Sequence, residues 1–247
     1  MQLNKKFSPS LANYLNQCSL RFYYDSLELP QLPIYVPQAD LGSEIHQIIK
    51  LYFQNIVDKP SSKQIRHIAE KTFEAVFTLT AQKAKAKRLL ENFITFEIER
   101  LKSWKTYKPE LIESKLELSS ETCKTTFDLN LPEGMVTFVD FYGNKTLIDW
   151  KTGTIPYIDE NTQFQLAFMK MLLEYNNHNV EKAYIVALQS GTVLELPRTT
   201  NGWVTNQIKH ILNIIETEQF KPHRTRLCEG YCKYELRCEF NQQCLWM

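Results

Sequence analysis

The sequence lacks any run of about 18 consecutive apolar residues, the length that a membrane-spanning helix requires. Its first ten residues, MQLNKKFSPS, also lack the continuous apolar segment of a secretory signal. The first absence excludes a transmembrane helix, and the second argues against export. We therefore expect an intracellular, cytoplasmic protein with no membrane partner.

An excess of charge of one sign is also missing, and glycine is scarce. Lys and Arg total 29 against 28 Asp and Glu, which leaves a formal net charge of +1. No global charge marks the chain for a polyanionic partner, so nucleic-acid binding would need a local basic cleft. With only 7 glycines, no repeat and no Gly/Ser-rich linker, the 247 residues have ordinary globular composition, and we expect a single domain over 1–247.

Hydrophobic periodicity divides the chain into three parts. Apolar residues recur at helical spacing through 7–106, for example in ADLGSEIHQIIKLYFQNIV. From 111 to 153 the pattern alternates and favours three or four strands, and EKAYIVALQS and TVLELP predict two more after a further helix. This order predicts an α/β fold with a central mixed β-sheet flanked by helices. The sheet core is assigned to 107–200, and a C-terminal helix with a Cys-rich tail to 201–247.

The stretch MVTFVDFYGNKTLIDWKTG, residues 135–153, places charged side chains along two apolar runs. Asp140 and Asp149 end the two runs, and Lys151 follows two residues after Asp149. In a strand, residues i and i+2 point to the same face, so Asp149 and Lys151 project together. The turn signal YGNK would return Asp140 to the neighbourhood of Asp149. Two converging carboxylates suit Mg²⁺ or Mn²⁺, and a neighbouring amine suits metal-assisted phosphodiester hydrolysis.

An Asp-x-Lys triplet also has an ordinary structural explanation. In most strands such a triplet is a surface ion pair beside a turn, worth less than about 1 kcal/mol. Here the runs VTFVD and TLID have buried character, and a carboxylate that ends a buried strand needs a partner or a metal ion. On these residues alone, both interpretations stay open.

Asp140, Asp149 and Lys151 have the spacing D-x₈-D-x-K and resemble the core of the PD-(D/E)XK nucleases. The segment LIDWKTG is similar to the RecB/AddB-like branch of that superfamily, and three other stretches resemble motifs of this branch in the same order. They are FSPSLANYLNQCSLRFYY, LGSEIHQIIK with His46, and QFQLAFMKMLLE with Gln165. The resemblance covers about 7–240 and implies a restriction-endonuclease-like core.

The resemblance also implies a role for each matching residue. The residues that would hold Mg²⁺ or Mn²⁺ are His46, Asp140, Asp149 and the backbone carbonyl of Trp150. Lys151 would position or help deprotonate the attacking water and stabilise charge on the phosphate, and Gln165 would orient Lys151 or the phosphate. Glu113 matches a helper glutamate of the family, although a solvated position at a strand edge is the simpler interpretation.

Six cysteines in an intracellular chain of this length argue against a disulfide framework. Four of them crowd the C-terminal tail, which suggests a metal or an iron–sulfur cluster. The RecB/AddB-like branch and the CRISPR-associated adaptation nucleases include members in which one N-terminal and three C-terminal cysteines hold a [4Fe–4S] cluster. The matching residues are Cys18, Cys228, Cys232 and Cys238, with Cys244 as a substitute ligand. Zinc, or cysteines packed without any metal, are the alternatives.

The sequence thus predicts a Mg²⁺- or Mn²⁺-dependent deoxyribonuclease. The resemblance further implies exonuclease action on single-stranded DNA ends in repair or recombination, with a helicase or recombination partner. The chain departs from the family pattern at Thr137, Phe141 and Met169, where glycine, arginine and tyrosine are usual. These departures keep a second hypothesis open, a non-catalytic DNA-binding subunit of a helicase–nuclease or CRISPR-adaptation complex. A third hypothesis is an interaction protein whose only metal is held by the cysteines.

Overall fold

A computed structural model of the chain describes residues 3, 5–29, 31, 37–104, 107–223, 228, 232–234 and 238, with the backbone alone for 37–39. These residues form two compact units. Unit 1 comprises 1–36, 117–137 and 200–247, and unit 2 comprises 37–116 and 138–199. Each unit is described by itself, and the single domain over 1–247 stays a prediction.

The described residues form eight α-helices and one 3-10 turn, Thr80–Gln82. The helices are α1 (Pro9–Gln17), α2 (Ser19–Ser26), α3 (Pro37–Asn55), α4 (Ser62–Val76), α5 (Lys83–Ser103), α6 (Ser120–Phe127), α7 (Glu160–Tyr175) and α8 (Asn201–Glu216). Sequence signals account for several helix starts. Ser8 caps α1 ahead of Pro9, and Ser61 and Gln64 form a capping box at α4. None of the described helices is long and apolar enough to cross a membrane.

Five strands form one mixed sheet with the order β1-β2-β3-β4-β5. The strands are β1 (Pro109–Leu118), β2 (Met135–Tyr142), β3 (Thr146–Lys151), β4 (Lys182–Ala187) and β5 (Thr192–Glu195). Strands β2 and β3 are antiparallel, β3 and β4 are parallel, and β4 and β5 are antiparallel. The parallel pair needs a crossover, and α7 supplies it. The predicted α/β fold with a mixed sheet and flanking helices is therefore confirmed.

One part of the alternating region is not a strand. Residues 120–127 form α6, although the alternating pattern from 111 to 153 allowed a fourth strand there. The Ser119 side chain accepts a hydrogen bond from the Thr122 amide at 3.1 Å, which satisfies a free N–H of the first turn. Cys123 and Phe127 give this short helix a buried side. Capping and tertiary burial outweigh the β-propensity of its threonines.

The core of unit 2 is aromatic. Its largest fully buried side chains include Tyr52, Phe53, Phe73, Phe93, Tyr142 and Trp150. Phe53 of α3 lies edge-on to Tyr142 of β2, with 5.9 Å between the ring centroids. The indole of Trp150 packs on Phe93 of α5 at 5.2 Å. Helices α3 and α5 therefore cover the sheet face to which Tyr142 and Trp150 point.

An ion pair lies inside this aromatic core. Glu97 is fully buried and Arg100 is 3% exposed. The guanidinium of Arg100 donates two hydrogen bonds to the Glu97 carboxylate, at 3.0 Å from Nε and 2.6 Å from Nη2. It also lies 4.3 Å from the ring centroid of Tyr107 and 4.7 Å from that of Tyr142. Both hydrogen bonding and cation–π contacts thus compensate the burial of this charge.

In unit 1, the first and last described segments are joined by polar contacts. The Ser19 hydroxyl accepts a hydrogen bond from the Lys221 amide at 2.8 Å. The Asp25 carboxylate is an ion-pair partner of Lys233 at 2.8 Å and accepts hydrogen bonds from the hydroxyls of Tyr14 and Tyr234. These contacts fix the described part of the C-terminal tail against α1 and α2.

Candidate active site

The β2–β3 hairpin ends in the turn that the sequence predicts. The Lys145 amide donates to the Tyr142 carbonyl at 2.8 Å, and Lys145 adopts a left-handed conformation with φ of 61°. This geometry is typical of a three-residue hairpin loop. From the turn, the pairing of β2 with β3 runs back only as far as Asp140 and Ile148. Asp149 is the next residue on β3, which pairs onward with β4 alone. Asp140 and Asp149 therefore lie where the two strands separate.

Lys151 connects Asp149 to α7. Its Nζ lies 2.9 Å from Asp149 Oδ2 and donates a hydrogen bond to Gln165 Oε1 at 3.0 Å. Strand alternation explains the arrangement, because Trp150 points to the α5 side and its neighbours point to the other face. The Lys151 ammonium lies within ion-pair distance of Asp149 Oδ2, yet this buried oxygen has no hydrogen-bond partner. The contact is therefore an ion pair without a hydrogen bond, because ion pairing depends on distance, whereas a hydrogen bond also needs alignment.

Asp140 is a buried carboxylate. It is 5% exposed, and Asp140 Oδ1 accepts a hydrogen bond from the Glu113 amide at 2.6 Å. Burial, together with the charges of Glu113 and Asp149, raises the pKa of Asp140 to about 7, against the opposing influence of the Glu113 amide and His46. A carboxylate in this environment is stabilised in its charged form by a cation.

His46 lies on α3, and its ring contacts Glu113. The distance from His46 Nδ1 to Glu113 Oε1 is 2.9 Å. Burial works to lower the pKa of His46, but the hydrogen bond and charge of Glu113 outweigh it, and Asp149 and Asp140 add to the increase. The influence of both aspartates indicates that His46 shares one electrostatic environment with them.

The environment of Glu113 differs from the simpler interpretation of its sequence position. Glu113 was expected as a solvated strand-edge residue, whereas it is half-buried and contacts both His46 and Asp140. Its φ of 42° is left-handed, a conformation that is uncommon for a non-glycine residue inside a strand. No local sequence signal marks a left-handed glutamate, so only its resemblance to a helper glutamate pointed to it.

The side chain and the carbonyl of Trp150 belong to different environments. The indole is 1% exposed and lies in the aromatic core. Successive carbonyls of a strand point to opposite edges, and the Lys151 carbonyl accepts from the Leu188 amide at 2.7 Å, on the β4 side. The Trp150 carbonyl therefore points to the other edge of β3, beyond the last β2–β3 pair.

The donor set fits a hard divalent cation. Carboxylate oxygens, a backbone carbonyl and an imidazole nitrogen are ligands typical of Mg²⁺ and Mn²⁺, and the buried Asp149 Oδ2 lacks a hydrogen-bond donor. In the described part of the chain, no three His, Cys, Asp or Glu side chains are already arranged as a metal site. The ligand assignment of His46, Asp140, Asp149 and Trp150 therefore stays a prediction.

In the metal-free protein, Asp140→Asn is expected to raise the free energy of unfolding by about 2 kcal/mol near pH 8. The amide removes a buried charge, and its oxygen still accepts the Glu113 N–H. Because the folded state raises the pKa of Asp140 to about 7, wild-type stability should fall as the pH rises from about 4 to about 7. The variant should lose this part of the pH dependence.

Urea unfolding in EDTA at about pH 5 and about pH 8 measures this effect. Asp58→Asn is the control, because Asp58 is exposed. Equal stability of Asp140→Asn and wild type near pH 8 would contradict the cost assigned to the buried carboxylate.

The predicted thiolate ligands that the structure describes all lie in unit 1. None of the five described cysteines forms a disulfide. Burial raises the pKa of the Cys232 thiol, Arg21 lowers it, and Cys228 and Cys18 raise it further. Cys18, Cys228 and Cys232 are thus close enough to interact. Cys244 lies outside the described residues.

The three departures from the family pattern are buried. Thr137 is 4%, Phe141 is 3% and Met169 is 9% exposed. Phe141 lies edge-on to His178, with 5.3 Å between the ring centroids. These side chains therefore pack inside the protein.

A family model of the PD-(D/E)XK nuclease superfamily matches residues 6–239. The match spans segments of both units and includes every residue of the candidate site described above. No curated protein matches the chain.

Proposed function

The chain belongs to the PD-(D/E)XK nuclease superfamily, and on that premise we propose that it is a DNA nuclease that depends on Mg²⁺ or Mn²⁺. The observation that carries the proposal is the contact of Lys151 with both Asp149 and Gln165, at the point where β2 and β3 separate. A surface ion pair does not account for this arrangement, because Asp149 is 8% exposed and Asp140 beside it is 5% exposed.

Each side chain of the site has a proposed role. The metal would be held by His46 Nε2, the carboxylates of Asp140 and Asp149, and the carbonyl of Trp150. Bound there, a divalent cation supplies charge neutralisation at the phosphate and makes water a stronger nucleophile. Lys151 positions the attacking water and stabilises the negative charge that develops on the phosphate oxygens. Gln165 accepts the Lys151 hydrogen bond and thereby orients the ammonium.

We propose a narrower substrate range for this protein than that of the whole superfamily. The motifs around His46, Asp149 and Gln165 resemble those of the RecB/AddB-like branch. We therefore propose exonuclease action on single-stranded ends during repair or recombination, in association with a helicase or recombination partner.

Hydrolysis of linear and circular single-stranded DNA tests the activity and its mode. With Mg²⁺ or Mn²⁺, the linear substrate should be degraded from an end while the circle persists, and EDTA should stop the reaction. Cleavage of the circle would replace the exonuclease proposal with an endonuclease. If fresh protein cleaves neither substrate with either metal but retains single-stranded DNA, the non-catalytic DNA-binding alternative is correct.

We also propose that Cys18, Cys228, Cys232 and Cys238 bind a [4Fe–4S] cluster, with zinc as the alternative. The influence of Cys18 and Cys228 on the pKa of the Cys232 thiol supports the site, as do the Asp25 contacts that hold the tail against α1 and α2.

Anaerobically purified protein is expected to show an absorbance band at about 400 nm, and Cys18→Ser should lose most of the bound iron. Cys123→Ala is the matched control, because Cys123 is a buried cysteine that is not among the proposed ligands. Zinc at one equivalent without the band would replace the cluster with a zinc site. A folded, colourless and metal-free protein contradicts both.

A further inference from the structure

We infer that Glu113 is a positioning residue that prepares two of the proposed metal ligands at once, His46 through its side chain and Asp140 through its backbone. This inference rests on the proposed function. Glu113 itself is not assigned as a ligand.

The side-chain part of the inference concerns the His46 ring. A histidine that binds a metal through one nitrogen usually donates its other ring N–H to a carboxylate, which fixes the tautomer and the ring plane. The Glu113 carboxylate lies 2.9 Å from His46 Nδ1, so it can accept that N–H. The lone pair then resides on Nε2, the nitrogen available to a cation.

The backbone part concerns Asp140. The Glu113 amide donates to Asp140 Oδ1 at 2.6 Å, which limits rotation of the carboxylate and leaves Oδ2 for a cation. One residue makes both contacts because its φ is 42°. In a regular strand, a backbone N–H points along the sheet and the side chain perpendicular to it. The left-handed conformation instead sends both toward the site.

The strain at Glu113 also suggests function. A left-handed non-glycine residue persists only where its surroundings hold it, and such residues cluster at functional sites. Here the contacts with His46 and Asp140 hold it. Glu113 is therefore not a free surface residue, since Asp140 is buried and the side chains of His46 and Glu113 are both only partly exposed.

Three substitutions at Glu113 separate the contribution of its side chain from that of its backbone. Glu113→Gln keeps an oxygen that can accept the His46 N–H, so it should retain most of the Mn²⁺ affinity. Glu113→Gly removes the carboxylate but adopts the left-handed conformation freely, and it should lose Mn²⁺ affinity about 10- to 100-fold. Glu113→Ala lacks both the carboxylate and the freedom of glycine, so its backbone should relax and lose a further factor of about 5 to 30.

The primary measurement is Mn²⁺ binding by calorimetry and by loss of the free-Mn²⁺ electron paramagnetic resonance signal, which requires no turnover. The second is the NMR resonance of the His46 ring N–H in EDTA, assigned by its absence in His46→Gln. Glu110→Gln is the matched control, since Glu110 lies exposed on the same strand. It should change neither measurement.

We expect the Mn²⁺ affinity to decrease in the order wild type, Glu113→Gln, Glu113→Gly, Glu113→Ala. The resonance of the His46 ring N–H should be lost in the Gly and Ala variants. Wild-type affinity in Glu113→Gly with an unchanged ring resonance would overturn the inference. If wild-type protein binds no Mn²⁺, the proposed function fails, and the ring resonance still decides whether Glu113 holds His46. Should Gly and Ala fail to fold, a Glu113→Gln protein that loses the ring resonance would also overturn it.

Discussion

Replacing Lys151 by methionine is expected to slow metal-dependent cleavage of single-stranded DNA about 100- to 1,000-fold. The Lys151 ammonium lies 2.9 Å from Asp149 Oδ2 and donates to Gln165 Oε1 at 3.0 Å, whereas methionine retains the length of the side chain but carries no charge. Because the proposed role of the ammonium is to stabilise charge that develops only in the transition state, kcat should fall while KM changes little. Steady-state kinetics on an end-labelled oligonucleotide with Mn²⁺ measure both constants.

A second lysine provides the control. Lys170 lies on α7, the helix that carries Gln165, and forms a partly exposed i,i+4 pair with Glu174 at 3.7 Å. Lys170→Met should keep near-wild-type kcat, since surface pairs of this kind contribute about 0.3–0.5 kcal/mol to stability and nothing to the chemistry. Similar losses in the two variants would indicate that global destabilisation, rather than the position of Lys151, controls the rate.

The second large effect concerns stability. Arg100→Met is expected to lower the free energy of unfolding by about 3–5 kcal/mol, because it leaves the Glu97 carboxylate buried without its partner. Glu97 is fully buried, and Arg100 also loses its contacts with the rings of Tyr107 and Tyr142. Urea unfolding monitored by tryptophan fluorescence measures the change.

The double variant Glu97→Leu/Arg100→Met distinguishes the causes. Removing both charges eliminates the unpaired carboxylate, so the double variant should be clearly more stable than Arg100→Met alone. The matched control is Lys102→Met, on the same helix and with the same i,i+3 spacing to Glu99 at 2.7 Å, but exposed. It should change stability by less than about 1 kcal/mol. A double variant as unstable as the single one would mean that lost cation–π packing, not the buried charge, dominates.

The residues that depart from the family pattern are all buried. Thr137, Phe141 and Met169 keep the non-catalytic hypothesis open at the level of sequence. All three are buried, and Phe141 packs against His178. They are therefore differences in packing, and Lys151 still contacts both Asp149 and Gln165.

Several features follow from local sequence. The alternating runs before and after YGNK require a hairpin, and its turn forms at Tyr142 and Lys145 as the pattern predicts. The period of two in a strand projects Asp149 and Lys151 from one face, and the observed ion pair agrees with that. Helical spacing likewise identifies α3 and α7, because amphipathic periodicity is itself the signal that packing requires.

The alternating pattern predicted the wrong secondary structure at one segment, where helix capping and burial compete with β-propensity. The α6 segment is rich in threonine, which favours a strand, yet the Ser119 cap and the burial of Cys123 and Phe127 stabilise a helix. The whole scale of β-propensities spans only about 1 kcal/mol between residue types and depends on context, so a cap and two buried side chains can outweigh the preference of a few threonines.

The sequence alone determined which residue types the site could contain, since Asp140, Asp149 and Lys151 lie within one hairpin and their proximity follows from its turn. Only the tertiary structure decided which distant groups meet them. Glu113 reaches His46, which is 67 positions away along the chain, and Asp140, which is 27 positions away. Neither contact leaves a periodic trace in the sequence. Both arise because the packing of α3 on the sheet and a left-handed backbone at Glu113 bring these groups together.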